Sequence, residues 1–94
     1  MLQRDQYIYA MKLKLDQVYA SMSNLEKLAI NEGKHAQFYI KKEMIRLRSQ
    51  SQFALDKLCV LKTSSDYAWE QTVLEMEKIH SAFTSSIRQF NSSM

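Results

Sequence analysis

The sequence predicts an all-α fold, and three observations support this prediction. The chain of 94 residues contains no proline and a single glycine, Gly33, so few residues would interrupt a helix. Residues that favour helices, such as Leu, Met, Lys, Glu, Gln and Ala, occur throughout. Apolar residues recur at steps of three and four, which is the helical period. We therefore expect one helical domain over residues 1–94.

The longest apolar stripe predicts a long first helix. Its members fall within a sector of about 100° when successive residues are rotated by about 100°. They are Ile8, Met11, Leu15, Val18, Met22, Leu25, Ala29, Ala36, Ile40, Met44, Leu47, Ala54, Leu58 and Leu61. Because the stripe keeps its phase on both sides of Gly33, the main prediction is a continuous helix over about residues 4–62, roughly 88 Å long at about 1.5 Å per residue.

A turn at Gly33 is the alternative, and it would give a three-helix bundle. A break at residues 31–33 divides the chain into three segments of similar length, which would close as a bundle. However, residues 34–36 offer no helix N-cap, and one glycine within a helix costs only about 1 kcal/mol. An antiparallel helical hairpin, or coiled coil, with a long first helix is therefore the main prediction.

A shorter second helix is predicted over about residues 66–92. Its apolar seam alternates steps of four and three and consists of Trp69, Val73, Met76, His80, Phe83, Ile87 and Phe90. The serines and the aspartate of SSDYAWE, residues 64–70, can cap this helix. We expect this stretch to form a corner at which Trp69 folds back onto the first helix. Trp69→Ala would then cost about 3 kcal/mol or more.

The hairpin leaves part of its first helix uncovered, which predicts a dimer. A second helix of about 27 residues reaches only half of a helix twice its length, so another chain would cover the rest. The residues expected at these contacts are Met11, Leu15, Val18, Met22, Leu25, Trp69, Phe83 and Phe90. A weaker stripe, about 120° from the first, predicts a second contact surface. It comprises Leu2, Tyr9, Leu13, Ala20, Phe38, Ile45 and Cys59.

The charges predict a basic middle segment and an acidic last one. The net charge is +3; residues 34–62 carry seven basic against two acidic side chains, a net +5, whereas residues 66–94 carry two against four, a net −2. Opposite charges would steer these segments together. A ridge of basic side chains is interpreted as a solvated helix face, with a nucleic-acid-binding accessory as the alternative function. The ridge consists of Lys34, Lys41, Lys42, Arg46 and Arg48.

Few residues in the chain could carry chemistry. Cys59 is the single cysteine, so no internal disulfide or CxxC pair can form, and we expect it to be a small, half-buried apolar side chain. His35 and His80 each lack a partner at metal-ligand spacing. A chain with one glycine offers no glycine-rich phosphate loop. The sequence thus predicts no enzyme, and no catalytic, cofactor-binding or metal-binding residues.

The hydropathy pattern bears on the location of the protein. The first ten residues, MLQRDQYIYA, lack the apolar core of a signal peptide. Apolar runs such as LCVL at residues 58–61 are far shorter than the roughly 20 residues of a membrane span. We therefore expect no membrane span and a cytoplasmic location.

Two stretches resemble a known family. Residues 4–29, RDQYIYAMKLKLDQVYASMSNLEKLA, and residues 61–70, LKTSSDYAWE, resemble small bacterial and cyanobacterial coiled-coil proteins that are associated with stress responses. The matching residues are Arg4, Asp5, Tyr7, Met11, Lys12, Leu15, Asp16, Leu25, Glu26, Ala29, Leu61, Lys62, Ser65, Ala68, Trp69 and Glu70. The resemblance implies a cytoplasmic helical hairpin that self-associates and is loosely associated with cellular stress responses. It implies no catalytic residues.

The predicted function is that of an interaction or scaffold module. Uncovered apolar faces indicate a self-associating helical protein, with a second copy or an unknown protein as the partner. The nucleic-acid-binding accessory is retained as the alternative because of the basic ridge.

Overall fold

The structure, a computed structural model, describes residues 2–30 and 34–93, with side chains described over residues 3–28 and 38–92. It contains three α-helices: α1 (Leu2–Ile30), α2 (Lys34–Thr63) and α3 (Asp66–Ser93). The described residues include no β-strand, and Ser64 and Ser65 are the two of them outside the helices. The all-α prediction is confirmed.

The three helices pack against one another as an up-down-up bundle. Glu26 near the end of α1 pairs with Arg48 in α2, and Lys57 of α2 pairs with Glu75 of α3. Lys57 lies near the end of α2 and Glu75 in the first half of α3, so these two helices run antiparallel. Arg4 and Asp66, in the first turns of α1 and α3, pair at 2.9 Å, so α1 runs parallel to α3 and antiparallel to α2. All three pairs of helices are in contact, including α1 with α3. The alternative prediction of a three-helix bundle is therefore the one that fits.

The main prediction of a continuous helix over residues 4–62 is wrong. The longest dimension of the molecule is 50 Å, far below the length that such a helix requires. Although the first turn of α2 has no acidic residue, the helix begins at Lys34. Packing of an apolar face, rather than capping, provides most of the stability of helices in proteins. Residues 31–33, on which the predicted turn at Gly33 falls, lie outside the described part of the chain.

The corner between α2 and α3 forms as the sequence predicts. The Ser64 hydroxyl donates a hydrogen bond to the carbonyl of Val60, 2.8 Å away, which satisfies an acceptor at the end of α2. The Ser65 hydroxyl accepts a hydrogen bond from the backbone N–H of Ala68, at 3.2 Å, which is the geometry of a helix N-cap. Asp66 then places a negative charge in the first turn of α3.

The core lies along the bundle axis and draws on all three helices. Every member of the long apolar stripe whose side chain is described is buried or packs against the core. The large side chains with less than 2% exposure are Met11, Met22, Leu47, Leu61, Met76, Phe83 and Phe90. The flexible methionine side chains fill space between the more rigid aliphatic and aromatic groups. The stripe is thus confirmed as core, although α2 and α3 cover its α1 part within the same chain.

The buried side of α3 differs from its predicted seam. Val73 and His80 are half-buried, whereas Thr72 and Ser86 are buried. Because α3 contacts two helices, the sector that it buries is broader than the seam of a two-helix hairpin.

Candidate interaction surfaces

The outward side of α2 carries large apolar side chains that remain exposed. Phe38, Ile45, Phe53 and Val60 are exposed by 80, 68, 59 and 48%. At 100° per residue, these four lie on the side of α2 opposite to its core residues, such as Leu47. We call them the outer α2 face. Apolar residues aligned on a solvated side of a helix are typical of a protein interaction surface.

The predicted second stripe is divided between two helices. Its described members are all exposed. They are Tyr9, Leu13 and Ala20 on α1 and Phe38, Ile45 and Cys59 on α2. The side chain of Leu2 lies outside the described set. Because α1 and α2 are separate helices, the stripe forms two surfaces rather than one. Phe53 and Val60 are absent from the prediction, although their spacing of seven residues is a helical signal.

The basic ridge is partly neutralised. The Nη2 atom of Arg48 lies 2.6 Å from both carboxylate oxygens of Glu26 on α1. The hydrogen bonds and the negative charge of Glu26 raise the pKa of the Arg48 guanidinium. Arg46 pairs with Glu43 at 3.1 Å on its own helix. Two of the five predicted ridge residues thus already have acidic partners.

The other members of the ridge are lysines. Lys41 and Lys42 are exposed, and no described carboxylate pairs with either of them. The side chain of Lys34 lies outside the described residues. The unpaired positive charge of the described ridge is therefore confined to two neighbouring lysines. Two lysines can neutralise only a few phosphates of a nucleic-acid backbone.

Arg4 connects α1 to the corner between α2 and α3. Its Cζ atom lies 4.5 Å from the centroid of the Trp69 ring, in a cation–π contact. Its guanidinium also donates hydrogen bonds to the Ser64 carbonyl and to Asp66, the latter at 2.9 Å. Trp69 is half-buried and packs against the core, and its ring also contacts Arg4 and Tyr7 of α1.

Tyr7 completes this cluster on the side of α3. Its ring meets Trp69 edge to face, with centroids 5.7 Å apart and planes at 82°. The Tyr7 hydroxyl donates a hydrogen bond to Glu77, 2.7 Å away. Burial and the neighbouring carboxylate of Glu77 raise the pKa of the Tyr7 hydroxyl, so that it stays protonated and can donate. This cluster has a structural role, since its polar groups bond to one another.

The residues predicted at helix contacts lie mainly in the bundle core. The buried ones are Met11, Leu15, Met22, Leu25, Phe83 and Phe90. Val18 and Trp69 are half-buried and pack against that core. These residues hold the chain's own helices together and are not presented to a second chain.

Cys59 and the side chains that could bind a metal ion are the remaining candidates for chemistry. Cys59 is exposed, which corrects the prediction that it is half-buried. Over residues 2–30 and 34–93, no group of three or more His, Cys, Asp or Glu side chains is placed to hold a metal ion. The described helices also include none that is long and apolar enough to cross a membrane.

Comparisons with known proteins give no relative. No protein family, curated protein or solved structure matches this chain. The resemblance to stress-associated coiled-coil proteins therefore stays a prediction from the sequence.

Proposed function

We propose that this chain is a non-enzymatic helical interaction module that self-associates. The observation that supports the proposal is the outer α2 face, whose four apolar side chains are exposed although the core is complete without them. Burying one such side chain fully stabilises a complex by about 1.5–3 kcal/mol. Four such side chains aligned along one helix therefore favour the association of two molecules.

The surface proposed here differs from the one expected of the hairpin. In the hairpin, a second chain would cover the apolar face of α1, including Leu15 and Met22. Both are buried within the bundle, at 3% and 1% exposure. The outer α2 face takes over this role because its apolar side chains remain exposed in the bundle.

Sedimentation velocity over a range of concentrations tests the proposal. We expect the wild-type chain to shift from monomer towards dimer as its concentration rises, and Ile45→Glu to remain monomeric. Leu74→Glu is the matched control, since Leu74 is similarly exposed on α3 and its substitution should leave the dimer intact. Circular dichroism verifies that both variants keep their helices. A wild-type chain that stays monomeric at millimolar concentration contradicts self-association.

Two finer features of the proposal rest on the sequence alone. The cytoplasmic location is inferred from the single cysteine, which suits a reducing compartment. The link to stress responses comes from the resemblance of residues 4–29 and 61–70 to stress-associated coiled-coil proteins.

A nucleic-acid-binding accessory is the second candidate function, and the exposed Lys41 and Lys42 favour it. If it holds, the chain should retard duplex DNA or RNA at low salt, and binding should weaken steeply as the salt concentration rises. Lys41→Glu combined with Lys42→Glu should abolish binding, whereas Lys14→Glu on α1 should reduce it only slightly. Absence of any retardation at low salt contradicts this candidate.

A further inference from the structure

A second helical seam runs along the outward side of α2, opposite to the core. Its residues are spaced by steps of four, three, four, four, three and four, and they fall within a sector of about 80°. All of them are exposed. They are Phe38, Lys42, Ile45, Ser49, Phe53, Asp56 and Val60. Steps of three and four are the spacing of residues that meet in coiled coils.

This seam is symmetric about Ser49. Phe38 lies eleven residues before Ser49 and Val60 eleven residues after it. Ile45 lies four residues before Ser49 and Phe53 four residues after it. If a second copy of α2 lay antiparallel with Ser49 facing Ser49, each apolar residue would therefore meet an apolar residue. The small side chain at the centre would let the two helices approach closely.

The charges in the seam have the same symmetry. Lys42 lies seven residues before Ser49, and Asp56 lies seven residues after it. No described carboxylate pairs with Lys42, and Asp56 accepts a hydrogen bond from the neutral amide of Gln52 at 2.9 Å. In an antiparallel pair, Lys42 of each copy would face Asp56 of the other. Each charge would then gain a partner of opposite charge, which neither has among the described residues.

We propose that a second copy of this chain packs antiparallel along α2, with the two-fold axis at Ser49. The proposal rests on the proposed function, since it specifies the surface and the geometry of self-association. A two-fold axis makes the same patch serve both partners, which the symmetry of the seam satisfies. A parallel pair would instead set Lys42 against Lys42 and Asp56 against Asp56, and such like-charge contacts are unfavourable.

The dimensions of the seam predict a weak dimer. From Phe38 to Val60 the helix is roughly 33 Å long and about 10–12 Å wide, so the contact would bury on the order of 700–800 Å² over both copies. Stable protein interfaces bury about 1,200–2,000 Å². The net charge of +5 on residues 34–62 adds repulsion between the copies. Association should therefore be measured at high micromolar concentration.

Charge reversal tests the predicted pairing. Lys42→Glu places a glutamate against Asp56, and Asp56→Lys places a lysine against Lys42, so each variant should weaken dimerisation about tenfold in sedimentation equilibrium. The combined variant Lys42→Glu/Asp56→Lys restores opposite charges and should return to within about threefold of the wild type. Lys14→Glu on α1 changes the net charge as much as Lys42→Glu does and should leave the dimer unchanged.

Disulfide trapping tests the position of the axis. Under a mild oxidant, Ser49→Cys in a Cys59→Ser background should give a covalent dimer, since a disulfide requires Cα atoms about 4.4–6.8 Å apart. The wild-type chain should not, because each Cys59 lies ten residues from the axis on opposite sides, which places the two thiols roughly 30 Å apart.

The outcomes separate the two proposals. A dimer that forms in the wild type, is weakened by both single reversals, is restored by the double variant and is trapped at position 49 supports the antiparallel pairing. A dimer that ignores these substitutions overturns this pairing while self-association stands. A wild-type chain that is monomeric throughout overturns both.

Discussion

The guanidinium of Arg4 lies over the ring of Trp69, 4.5 Å from its centroid, and joins the first turns of α1 to those of α3. The same guanidinium hydrogen-bonds the Ser64 carbonyl and Asp66 at the corner between α2 and α3. One side chain thus fixes α1 against the other two helices at this end of the bundle.

Arg4→Ala should lower the free energy of unfolding by about 2 kcal/mol. The hydrogen bond from a charged group to the Ser64 carbonyl contributes most, and the cation–π contact adds about 0.5–1 kcal/mol. Asp66 is exposed, so its ion pair adds little. Urea denaturation followed by circular dichroism measures the loss. The control is Lys12→Ala, which breaks only an exposed pair with Asp16 and should cost less than about 0.5 kcal/mol. Equal losses would contradict this role of Arg4.

Trp69→Ala should cost about 2–3 kcal/mol. A fully buried tryptophan would cost about 3–5 kcal/mol, but Trp69 is half-buried and part of its surface stays in water. The matched control is Tyr67→Ala two residues earlier, since Tyr67 is 99% exposed and its loss should change stability by less than about 0.5 kcal/mol. Thermal and urea unfolding of both variants give the comparison. A similar cost for the two would show that Trp69 does not pack against α1.

Tyr7→Phe should destabilise the chain by about 1 kcal/mol at neutral pH, because the hydrogen bond to Glu77 is lost. This difference should shrink as the pH rises above 10. Burial and Glu77 raise the pKa of Tyr7 above its usual value of 10.0, so the folded chain holds this proton more tightly than the unfolded chain. The stabilisation is then complete below pH 10 and is lost at higher pH. Because Tyr7 is half-exposed, the slope should stay well below about 1.4 kcal/mol per pH unit.

Urea denaturation of wild type and Tyr7→Phe in parallel at several pH values gives this difference directly. Tyr9→Phe serves as the control for loss of a tyrosine hydroxyl, since Tyr9 is exposed on the same helix. The prediction fails if the difference between wild type and Tyr7→Phe is constant from neutral pH to well above pH 10.

The sequence predicts which side chains are buried much better than how the chain turns. Periodicity reports the side that each helix buries, because burial repeats with the helical period. Ala29 and Ala36 are seven residues apart, which is about two helical turns. The apolar stripe therefore keeps its phase across Gly33 whether the helix continues or ends there, so the pattern does not distinguish the two folds. Packing between helices that are distant in sequence sets the direction of α2 relative to α1. A local sequence pattern carries no information on such packing.

The cluster around Trp69 could not be predicted for the same reason. In a continuous helix over residues 4–62, Arg4 would lie at the end opposite to the corner, tens of ångströms from Trp69. Only the return of the chain between α1 and α2 brings Arg4 and Tyr7 to the corner. The sequence predicts only half of the outer α2 face, since Phe38 and Ile45 belong to the predicted second stripe and Phe53 and Val60 do not.

Two threonines of α3 offer a final matched pair of predictions. The Thr84 hydroxyl is buried, and no described group bonds to it, whereas the Thr72 hydroxyl donates to the Ala68 carbonyl at 2.8 Å. Valine keeps the shape and the branching of threonine but removes the hydroxyl. Thr84→Val should therefore stabilise the chain by about 0.5–1 kcal/mol, because an unpaired buried polar group is removed. Thr72→Val should destabilise it by a similar amount, because a hydrogen bond is lost.

Urea denaturation of the two variants should shift the free energy of unfolding in opposite directions. Shifts in the same direction would mean that the Thr84 hydroxyl has a hydrogen-bond partner in solution, such as a water molecule.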